Sequence, residues 1–379
     1  MSETPTPDPT PTASHRRRSR LSRRGMIGAA AAVAGGAALT PAVFAATESD
    51  SGSGDSSGSA AADTSGTTPE RFPATRTDAA TGTGEASTAV AASYVGVRWS
   101  GAKEGAAIKL ADGAWQDLTG GCATVEDGGT ALVAGGNATT YEVKAPSGID
   151  GVRSLAIDTT DGPARTFKVP SEPTRLRGAV YLSRPAWGAD EAKRYKADGT
   201  VNSPEKYFPL QTITVHHTDT PNDDPDPAAT VRAIYEYHAI TLDWGDIGYH
   251  FLIDETGNVY EGRYSGTDPV PAFDADGNLV TAFHTGGWNS GNLGIALLGT
   301  LVDQPPTDAA KKSLIRLIKV IARLKGLDPT AQVTFVSPVT AGATKDVQTV
   351  SGHRDWLATD CPGQTMYDLL TEVRTAAAR

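Results

Sequence analysis

The chain has 379 residues, of which 39% are hydrophobic, and a formal net charge of −10 at pH 7. This length allows two domains of ordinary size. Residues 1–45 contain six arginines, one glutamate and one aspartate, a net charge of +4, so the remainder carries −14. Such an acidic body offers no basic surface for phosphates, which argues against a nucleic-acid-binding protein.

Residues 1–45 predict an export signal. An arginine-rich start reaches the pair Arg23-Arg24, an Ala/Gly-rich apolar stretch continues to about Leu39, and Ala45 ends a small-residue cleavage site. The arginine pair and the weak hydrophobicity favour the twin-arginine route, and hence a secreted, extracytoplasmic protein. The alternative is a membrane anchor, for which the apolar stretch is short and rich in glycine.

Residues 46–88 are expected to be a disordered linker. They consist mainly of Ser, Gly, Thr, Ala and Asp, with almost no large apolar side chains. A segment of this composition buries too little apolar surface to offset the entropy lost when it is ordered.

Residues 89–172 predict a small all-β, sandwich-like domain. Short runs alternate between apolar and polar residues, and Gly or Asp turns separate them at regular intervals. The sequence reveals no ligand for this domain. Trp99 and Trp115 suit either a buried core, which we favour, or a sugar-binding surface. The alternating runs are 94–99, 131–133, 140–143, 154–157 and 166–169.

Residues 178–379 predict an α/β domain with helices packed on a mixed central sheet. One helix begins at Asp226-Pro227, with proline at its first position and one face formed by residues 231, 234, 235 and 238. Further helices are expected from near Thr307 to Gly326 and from about Gln364. Strands are expected at 211–217, 249–254, 258–261 and 293–299.

The side chains that carry chemistry cluster in this domain. All seven histidines except His15 lie between residues 216 and 353, and one of the two cysteines, Cys361, follows them. Neighbouring side chains of a strand point to opposite faces, so only one of His216 and His217 readily enters a given site. Spacing alone does not choose between them.

Two imidazoles and one thiolate together predict an open zinc site. A reactive zinc takes about three protein ligands and keeps a further position open, and His353 and Cys361 are near each other in the sequence. A phenol such as that of Tyr249 suits the stabilisation of a developing oxyanion. This inventory is typical of a metal-dependent hydrolase that cleaves amides.

Other uses of these residues stay open at this point. In an exported protein, Cys122 and Cys361 also suit a disulfide. His217, His238 and His250 are expected to be buried or supporting residues rather than ligands. Residues 274–278, Asp-Ala-Asp-Gly-Asn, lack the rest of a calcium-binding loop and predict a turn.

Seven segments of the chain together resemble a known family. In order, over residues 181–375, they look like a peptidoglycan recognition protein of the type-2 N-acetylmuramoyl-L-alanine amidase family. No single segment is specific, but the combination is. The segments are Trp187-Gly-Ala-Asp190, Thr214-Val-His-His-Thr218, Asp246-Ile-Gly-Tyr-His-Phe251, Gly257-Asn-Val-Tyr-Glu-Gly-Arg263, Phe283-His-Thr with Trp288-Asn289, Leu293-Gly-Ile-Ala296 with Gly299, and Ser351-Gly-His-Arg-Asp355 with Cys361-Pro-Gly363.

The resemblance implies a role for each of several residues. By it, the zinc ligands are His216, His353 and Cys361, which selects His216 over His217. It implies that Tyr249 assists catalysis and that Thr359 contacts the transition state. It also implies contacts to muramyl peptide, from His284, Trp288 and Asn289.

The sequence departs from the family in two places. Residues 264–282 are longer than the usual connection and predict an extra hairpin beside the groove. Residues 331–350 are also extended.

The activity implied by the resemblance is that of an exported, cell-wall-associated zinc amidase. It would hydrolyse the amide bond between N-acetylmuramic acid and L-alanine in peptidoglycan. Three other functions stay open: a protein that binds peptidoglycan without cleaving it, a zinc peptidase that cuts within the stem peptide, and a structural wall protein. Cys361 favours the amidase over the binding protein, because family members without this cysteine are read as binding proteins.

Overall fold

The computed structural model of the protein describes residues 66–118, 127–267 and 270–379. These residues all belong to one compact unit, Ala62–Arg379. Within the described ranges, no helix combines the length and the apolar character that crossing a membrane requires. The predicted export signal lies outside the described residues.

The N-terminal part is all-β, as predicted. Its strands are β1 Thr67–Pro73, β2 Arg76–Thr81, β3 Gly84–Gly101, β4 Ala107–Leu110, β5 Trp115–Asp117, β6 Gly129–Lys144, β7 Ile149–Asp158 and β8 Ala164–Pro170. β1 pairs with β8, and the other six form one antiparallel sheet in the order β2-β7-β3-β6-β4-β5. The long strand β3 changes register near Ala92, and such bulges bend a strand. One buried cluster therefore joins Ile108 and Tyr141 to Val97 and Val152 across the curved sheet.

The linker predicted over residues 46–88 is wrong from residue 67 onwards. β1, β2 and the start of β3 occupy this range, while residues 46–65 lie outside the described residues. The side chains of β1 and β2 are largely exposed, so the pattern of hydrophobic residues does not reveal these two strands. Backbone pairing with β8 and β7 orders them instead.

The two tryptophans of the all-β part differ. Trp99 is buried in the core, as predicted. Trp115 is 37% exposed, so the prediction of a core position is wrong for this residue. It lies on β5, an edge strand of three exposed residues, and the Lys144 ammonium lies 4.1 Å from the centre of its ring.

The C-terminal part is the predicted mixed α/β domain. Its strands are β9 Thr174–Leu176, β10 Ala179–Tyr181, β11 Tyr207–Phe208, β12 Thr212–His217, β13 Phe251–Ile253, β14 Val259–Glu261, β15 Leu279–Val280, β16 Asn292–Leu297, β17 Gln332–Val336, β18 Thr344–Gln348 and β19 Val350–Gly352. The α-helices are α1 Pro227–Glu236, α2 Asp308–Lys325 and α3 Gln364–Ala378. Short 3-10 helices lie at Arg184–Trp187, Glu191–Arg194 and His353–Asp355.

The central sheet has the order β14-β13-β16-β12-β19. Only β14 runs antiparallel to its neighbour, and the other pairs are parallel. Alternate residues of the strands divide the core into two layers. Ile213 and Ile295 face α2 and α3, whereas Leu252 and Ala296 face α1. The residues that face α1 form the layer in which the candidate site lies.

Helix α1 begins as the sequence predicts but ends differently. The Asp226 carboxylate accepts a hydrogen bond from the Ala229 amide, and Pro227 occupies the first turn. The α-helix stops at Glu236, and a π-helical turn, Tyr237–Thr241, continues from it. His238 therefore lies on this wider turn, which is a type of distortion common at functional sites.

The two extended segments have different structures. Residues 332–348 form a β-hairpin of β17 and β18. In the segment 264–282, β15 pairs with β11, and Phe273 is buried in the layer that faces α2. The Asp274 carboxylate accepts a hydrogen bond from the Asn278 amide, which confirms the predicted turn.

Candidate metal centre

Three predicted ligands lie together at one edge of the central sheet. His216 is near the end of β12, His353 follows the adjacent parallel strand β19, and Cys361 lies on the loop before α3. One ligand atom from each residue lies within 4.8 Å of the others, and all three residues are buried. The His216 Nδ1 to Cys361 Sγ distance is 3.6 Å. Tetrahedral zinc bonds of about 2.0 Å to nitrogen and 2.3 Å to sulfur require a separation of about 3.6 Å.

Strand alternation separates His216 from His217. His216 lies on the face towards α1, where its ring centroid is 4.5 Å from that of His353. His217 faces the other layer, and its Nδ1 accepts a hydrogen bond of 3.1 Å from the Leu301 amide. The geometry therefore brings His216, and not the ring of His217, to Cys361.

The hydrogen bonding and protonation of His353, and the free thiol of Cys361, suit metal binding. Neither ring nitrogen of His353 has a hydrogen-bond partner within the described part of the chain, although the side chain is fully buried. An unsatisfied buried polar group of this kind costs about 1–3 kcal/mol. Burial lowers the pKa of His353 to about 4, so the ring is neutral near pH 7. Cys361 carries a free, buried thiol. Two neutral imidazoles and a thiol are a zinc donor set.

A chain of hydrogen bonds sets the tautomer of His216. The Asn292 carbonyl can only accept, so Nε2 of His284, 2.9 Å away, carries the hydrogen. Burial lowers the pKa of His284 to about 3, and its Nδ1 is therefore an acceptor. That Nδ1 lies 3.0 Å from Nε2 of His216, which must donate. The lone pair of His216 is consequently on Nδ1, the atom that faces Cys361.

The strand beneath these hydrogen-bonded histidine rings leaves room for them. Gly294 lies in β16, directly under the His284 ring, and a Cβ atom on it would lie 2.6 Å from Cγ of His284. Real Cβ atoms do not approach other atoms so closely. The glycine thus leaves the space in which His284 reaches His216.

The substrate contact of His284 stays a prediction, and in the structure its ring is engaged inside the protein. Its side chain is buried, and both ring nitrogens are engaged within the protein. The sequence showed that His284 precedes Trp288 and Asn289 but not which way its ring points. The sequence feature related to the direction of the ring is Gly294, ten positions after His284, because its lack of a side chain makes room for the ring.

Tyr249 and Thr359 lie beside the predicted metal ligands. The Tyr249 ring centroid is 5.3 Å from that of His216. The Thr359 hydroxyl accepts a hydrogen bond of 3.3 Å from the Cys361 amide and is half-buried. The structure thus brings together all five residues predicted as ligands or catalytic groups.

A buried ion pair anchors the segment that leads to Tyr249. The Asp246 carboxylate accepts hydrogen bonds from the Arg184 guanidinium at 3.0 Å and from the Ile247 amide at 2.7 Å. It also accepts one from the Tyr264 amide at 2.9 Å. Breaking a buried pair by removing one partner typically costs about 3–5 kcal/mol. The pair therefore holds the backbone from which Tyr249 projects.

His238 supports the same segment from the π-helical turn. Its Nδ1 accepts a hydrogen bond of 3.0 Å from the Gly248 amide, and its ring centroid is 5.5 Å from that of Tyr249. The side chain is buried, as expected for a supporting residue. Its contact with Tyr249 has no signal in the sequence.

A cavity of about 430 Å³ adjoins this region. Asn289 lines it, together with Lys206, Arg263 and Phe283, and Val339 from the β17–β18 hairpin forms part of its wall. The Asn289 side chain also accepts hydrogen bonds from the His284 and Thr285 amides. Asn289 therefore joins the cavity wall to the residue that contacts His216.

Trp288 belongs to an aromatic cluster next to this cavity. Its ring centroid lies 6.0 Å from those of Phe335 and Trp356, and it is half-buried. The hairpin residue Phe335 is fully buried between the other rings. Trp288 thus anchors the hairpin, while part of its surface remains accessible.

Known proteins match the same part of the chain. A family model described as N-acetylmuramoyl-L-alanine amidase matches residues 206–364. The human N-acetylmuramoyl-L-alanine amidase is 34% identical over 167 residues, which are 43% of this chain and only 24% of that protein. Peptidoglycan-recognition protein SC2 of Drosophila melanogaster is 31% identical over 201 residues, 52% of this chain and 86% of that protein.

Solved structures also match. Wild-type Drosophila PGRP-LB is 24% identical, with a TM-score of 0.37, over 51% of this chain and 93% of that chain. The sequence matches define the class: the chain belongs to the family of peptidoglycan recognition proteins and N-acetylmuramoyl-L-alanine amidases. The predicted resemblance is confirmed.

The hydrogen-bond chain to His216 predicts the effect of replacing His284. His284→Phe removes the acceptor for Nε2 of His216 while keeping a ring of similar size. We expect zinc affinity to fall about 10–100-fold, the range found when supporting partners of metal ligands are removed. The measurement is competition with a chelator at fixed pH. His250→Phe is the control, because His250 is also buried and packs against the His284 ring but bonds to the backbone of Val280 and Gly294 and not to His216. Equal affinity of wild type and His284→Phe would refute the role of His284.

The burial of His238 predicts a pH-dependent stability. Burial lowers its pKa to about 3, whereas in the unfolded chain it is near 6.5. The unfolded state therefore binds the proton first, and stability is lost as pH falls from about 6.5 towards 3. Between pH 7 and pH 5 the loss from this residue is about 2 kcal/mol.

The matching experiment compares wild type with His238→Gln. Glutamine can still accept from the Gly248 amide but does not titrate. We expect the free energy of unfolding, measured with urea, to fall less between pH 7 and pH 5 in the variant. Identical losses in both proteins would contradict a buried, neutral His238.

Proposed function

We propose that this protein is a zinc-dependent N-acetylmuramoyl-L-alanine amidase. It would hydrolyse the amide bond between N-acetylmuramic acid and L-alanine in bacterial peptidoglycan. The main support is the convergence of three buried ligand atoms, one of them on a neutral His353 with no hydrogen-bond partner within the described residues. Family membership supplies the substrate class.

The proposed mechanism assigns a role to each residue of the site. Nδ1 of His216, a ring nitrogen of His353 and Sγ of Cys361 would hold the zinc. When bound, zinc would polarise the scissile carbonyl and lower the pKa of a coordinated water. Since both imidazoles are neutral near pH 7, each presents a lone pair without first losing a proton.

The remaining residues act on the substrate. The Tyr249 phenol would donate a hydrogen bond to the oxygen on which negative charge develops, and the Thr359 hydroxyl would support the same oxygen. Asn289 and Trp288 would contact the muramyl peptide. Fixed donors in a buried site stabilise developing charge without reorganisation, which the anchoring of Tyr249 through Asp246 and His238 favours.

We also propose where the protein acts. The twin-arginine signal inferred for residues 1–45 would place it outside the cytoplasm, at the cell wall. There it would meet peptidoglycan directly. The twin-arginine route exports proteins in the folded state, which suits an enzyme that acquires its metal first.

The cavity favours an anionic part of the substrate. Two cationic residues line the cavity: Lys206, which is exposed, and Arg263, which is buried. We infer that a carboxylate of the stem peptide binds there. Aspartates and glutamates dominate the rest of the protein, so this cationic wall is a local exception that attracts such a group.

Replacing Cys361 tests the proposed function. Wild type should contain about one zinc per chain and release new N-terminal alanine from purified peptidoglycan, and Cys361→Ser should do neither. Cys122→Ser is the matched control and should keep both, because the second thiol has no role in the proposed site. Zinc and activity retained in Cys361→Ser would exclude this centre.

Two further results of this experiment would identify other functions. Wild type that binds wall fragments, contains no zinc and releases no amine would be a recognition protein. New amino termini within the stem peptide, with none on the first alanine, would indicate a peptidase.

Replacing Lys206 tests the anionic subsite. Lys206→Gln should raise KM for a soluble muramyl peptide about 1.4-fold to fivefold, since exposed charge pairs contribute about 0.2–1 kcal/mol. kcat and zinc content should not change. Lys168→Gln on β8 makes the same change in net charge away from the cavity and should leave KM unaltered. An equal KM in wild type and Lys206→Gln would remove Lys206 from the site.

A further inference from the structure

The all-β part packs directly against the helix that supports the candidate site. One buried cluster contains side chains from both parts, and each member is less than 9% exposed. Its members are Tyr94, Leu155 and Ile157 from the sheet, and Ala233, Tyr237 and Leu242 from α1, the π-helical turn and the residue after it. Continuous apolar burial of this kind is typical of a fixed contact and not of a transient one.

Hydrogen bonds across this contact fix its register. The Tyr94 and Thr230 hydroxyls are 2.9 Å apart and buried. The Tyr237 hydroxyl contacts that of Thr130 on β6. The Arg98 guanidinium donates to the Leu242 carbonyl at 3.3 Å. Each of these bonds would be lost if the sheet shifted along the helix, because buried polar groups need defined partners.

The strand and the π-helical turn approach each other closely at Gly96. This residue lies in the middle of β3, and a Cβ atom on it would lie 2.7 Å from Cδ2 of Tyr237 and 3.1 Å from the Thr241 hydroxyl. A larger residue at position 96 must therefore push on the π-helical turn. The absence of a side chain at Gly96 allows the strand and the turn to touch.

The π-helical turn in turn holds the loop that carries Tyr249. Backbone carbonyls of the turn accept hydrogen bonds from the amides of this loop at four places. The bonds are Leu242 to Tyr237 at 3.0 Å, Asp243 to Ile240 at 3.3 Å, Trp244 to His238 at 3.0 Å and Gly245 to Ala239 at 3.2 Å. The Gly248 amide donates to the His238 ring, which meets the Tyr249 ring edge to face. A continuous set of contacts thus runs from β3, through Tyr237 and His238, to Tyr249.

We propose that the all-β part positions Tyr249, and so sets the rate of the reaction, by holding the π-helical turn. Tyr249 is the catalytic residue, and Gly96, Thr130 and Tyr237 are positioning residues that act through it. This inference rests on the proposed function for its kinetic effect. It gives the N-terminal strands a role inside the enzyme, independent of any wall component they bind.

The test uses the full chain with Gly96→Val, alone and combined with Tyr249→Phe. Gly96→Val should lower kcat roughly tenfold to a hundredfold, as small displacements of a reacting group do. KM and zinc content should stay within about twofold of wild type. In the Tyr249→Phe background, Gly96→Val should cost less than about twofold, because its effect passes through the missing hydroxyl. An equal loss in both backgrounds would overturn the proposal.

A second measurement does not depend on catalysis. Amide hydrogen exchange over residues 242–250 should be faster in Gly96→Val than in wild type, while exchange in β12 stays the same. Unchanged exchange over 242–250 in the folded variant would overturn the coupling even if kcat fell. If wild type cleaves no peptidoglycan, the amidase function fails, and faster exchange over 242–250 still supports the physical coupling.

Two variants separate positioning from loss of stability. Thr130→Val keeps the shape of the side chain and removes its hydroxyl from Tyr237, so a smaller fall in kcat with unchanged KM is expected. Val143→Ala weakens the core of the all-β part away from the contact. It should lower Tm and leave kcat unchanged. A matching fall in kcat in Val143→Ala would show that general destabilisation explains the effect, and the proposal would be withdrawn.

Discussion

The parallel pairing of β12 with β19 determines where the predicted metal ligands lie. Ile213, Thr214 and Val215 pair with Val350, Ser351 and Gly352. His216 is the next residue of β12, and His353 directly follows the end of β19. A slip of one residue would turn every side chain of β12 to the other face of the sheet. His217 would then replace His216 among the ligands. The burial of Ile213 and Val215 on the opposite face makes such a slip unfavourable.

Burial controls the electrostatics of the site. The rings of His238, His250 and His284 are bonded to backbone groups, and low pKa values keep those of His238 and His284 neutral. His353 has no such partner within the described residues. The cost of leaving a polar ring unsatisfied is therefore concentrated at one residue of the proposed metal site. Metal binding would offset that cost, which ties folding of this edge of the sheet to zinc.

The sequence predicted the regular elements well and the supporting contacts poorly. Caps at Asp226 and Thr307 and the apolar periodicity located α1 and α2, and the family motifs selected His216. Burial patterns carry no signal for β1 and β2, because backbone pairing and a few long-range side-chain contacts, such as Phe72 with Phe167 and Arg76 with Asp158, order them. The direction of the His284 ring and the contact of Gly96 with Tyr237 depend on residues far apart in the chain. Periodicity and spacing contain no information on such contacts.

The contact between the two parts also bears on how this protein can be divided. A shortened chain without residues 66–172 would expose Ala233, Tyr237 and Leu242 to water, together with the polar groups that now bond to the sheet. Apolar patches of this kind promote self-association. The α/β part is therefore not a portable module, because its α1 surface is completed by the strands that precede it. If the all-β part were replaced by that of another protein, the new part would need a surface that fits α1.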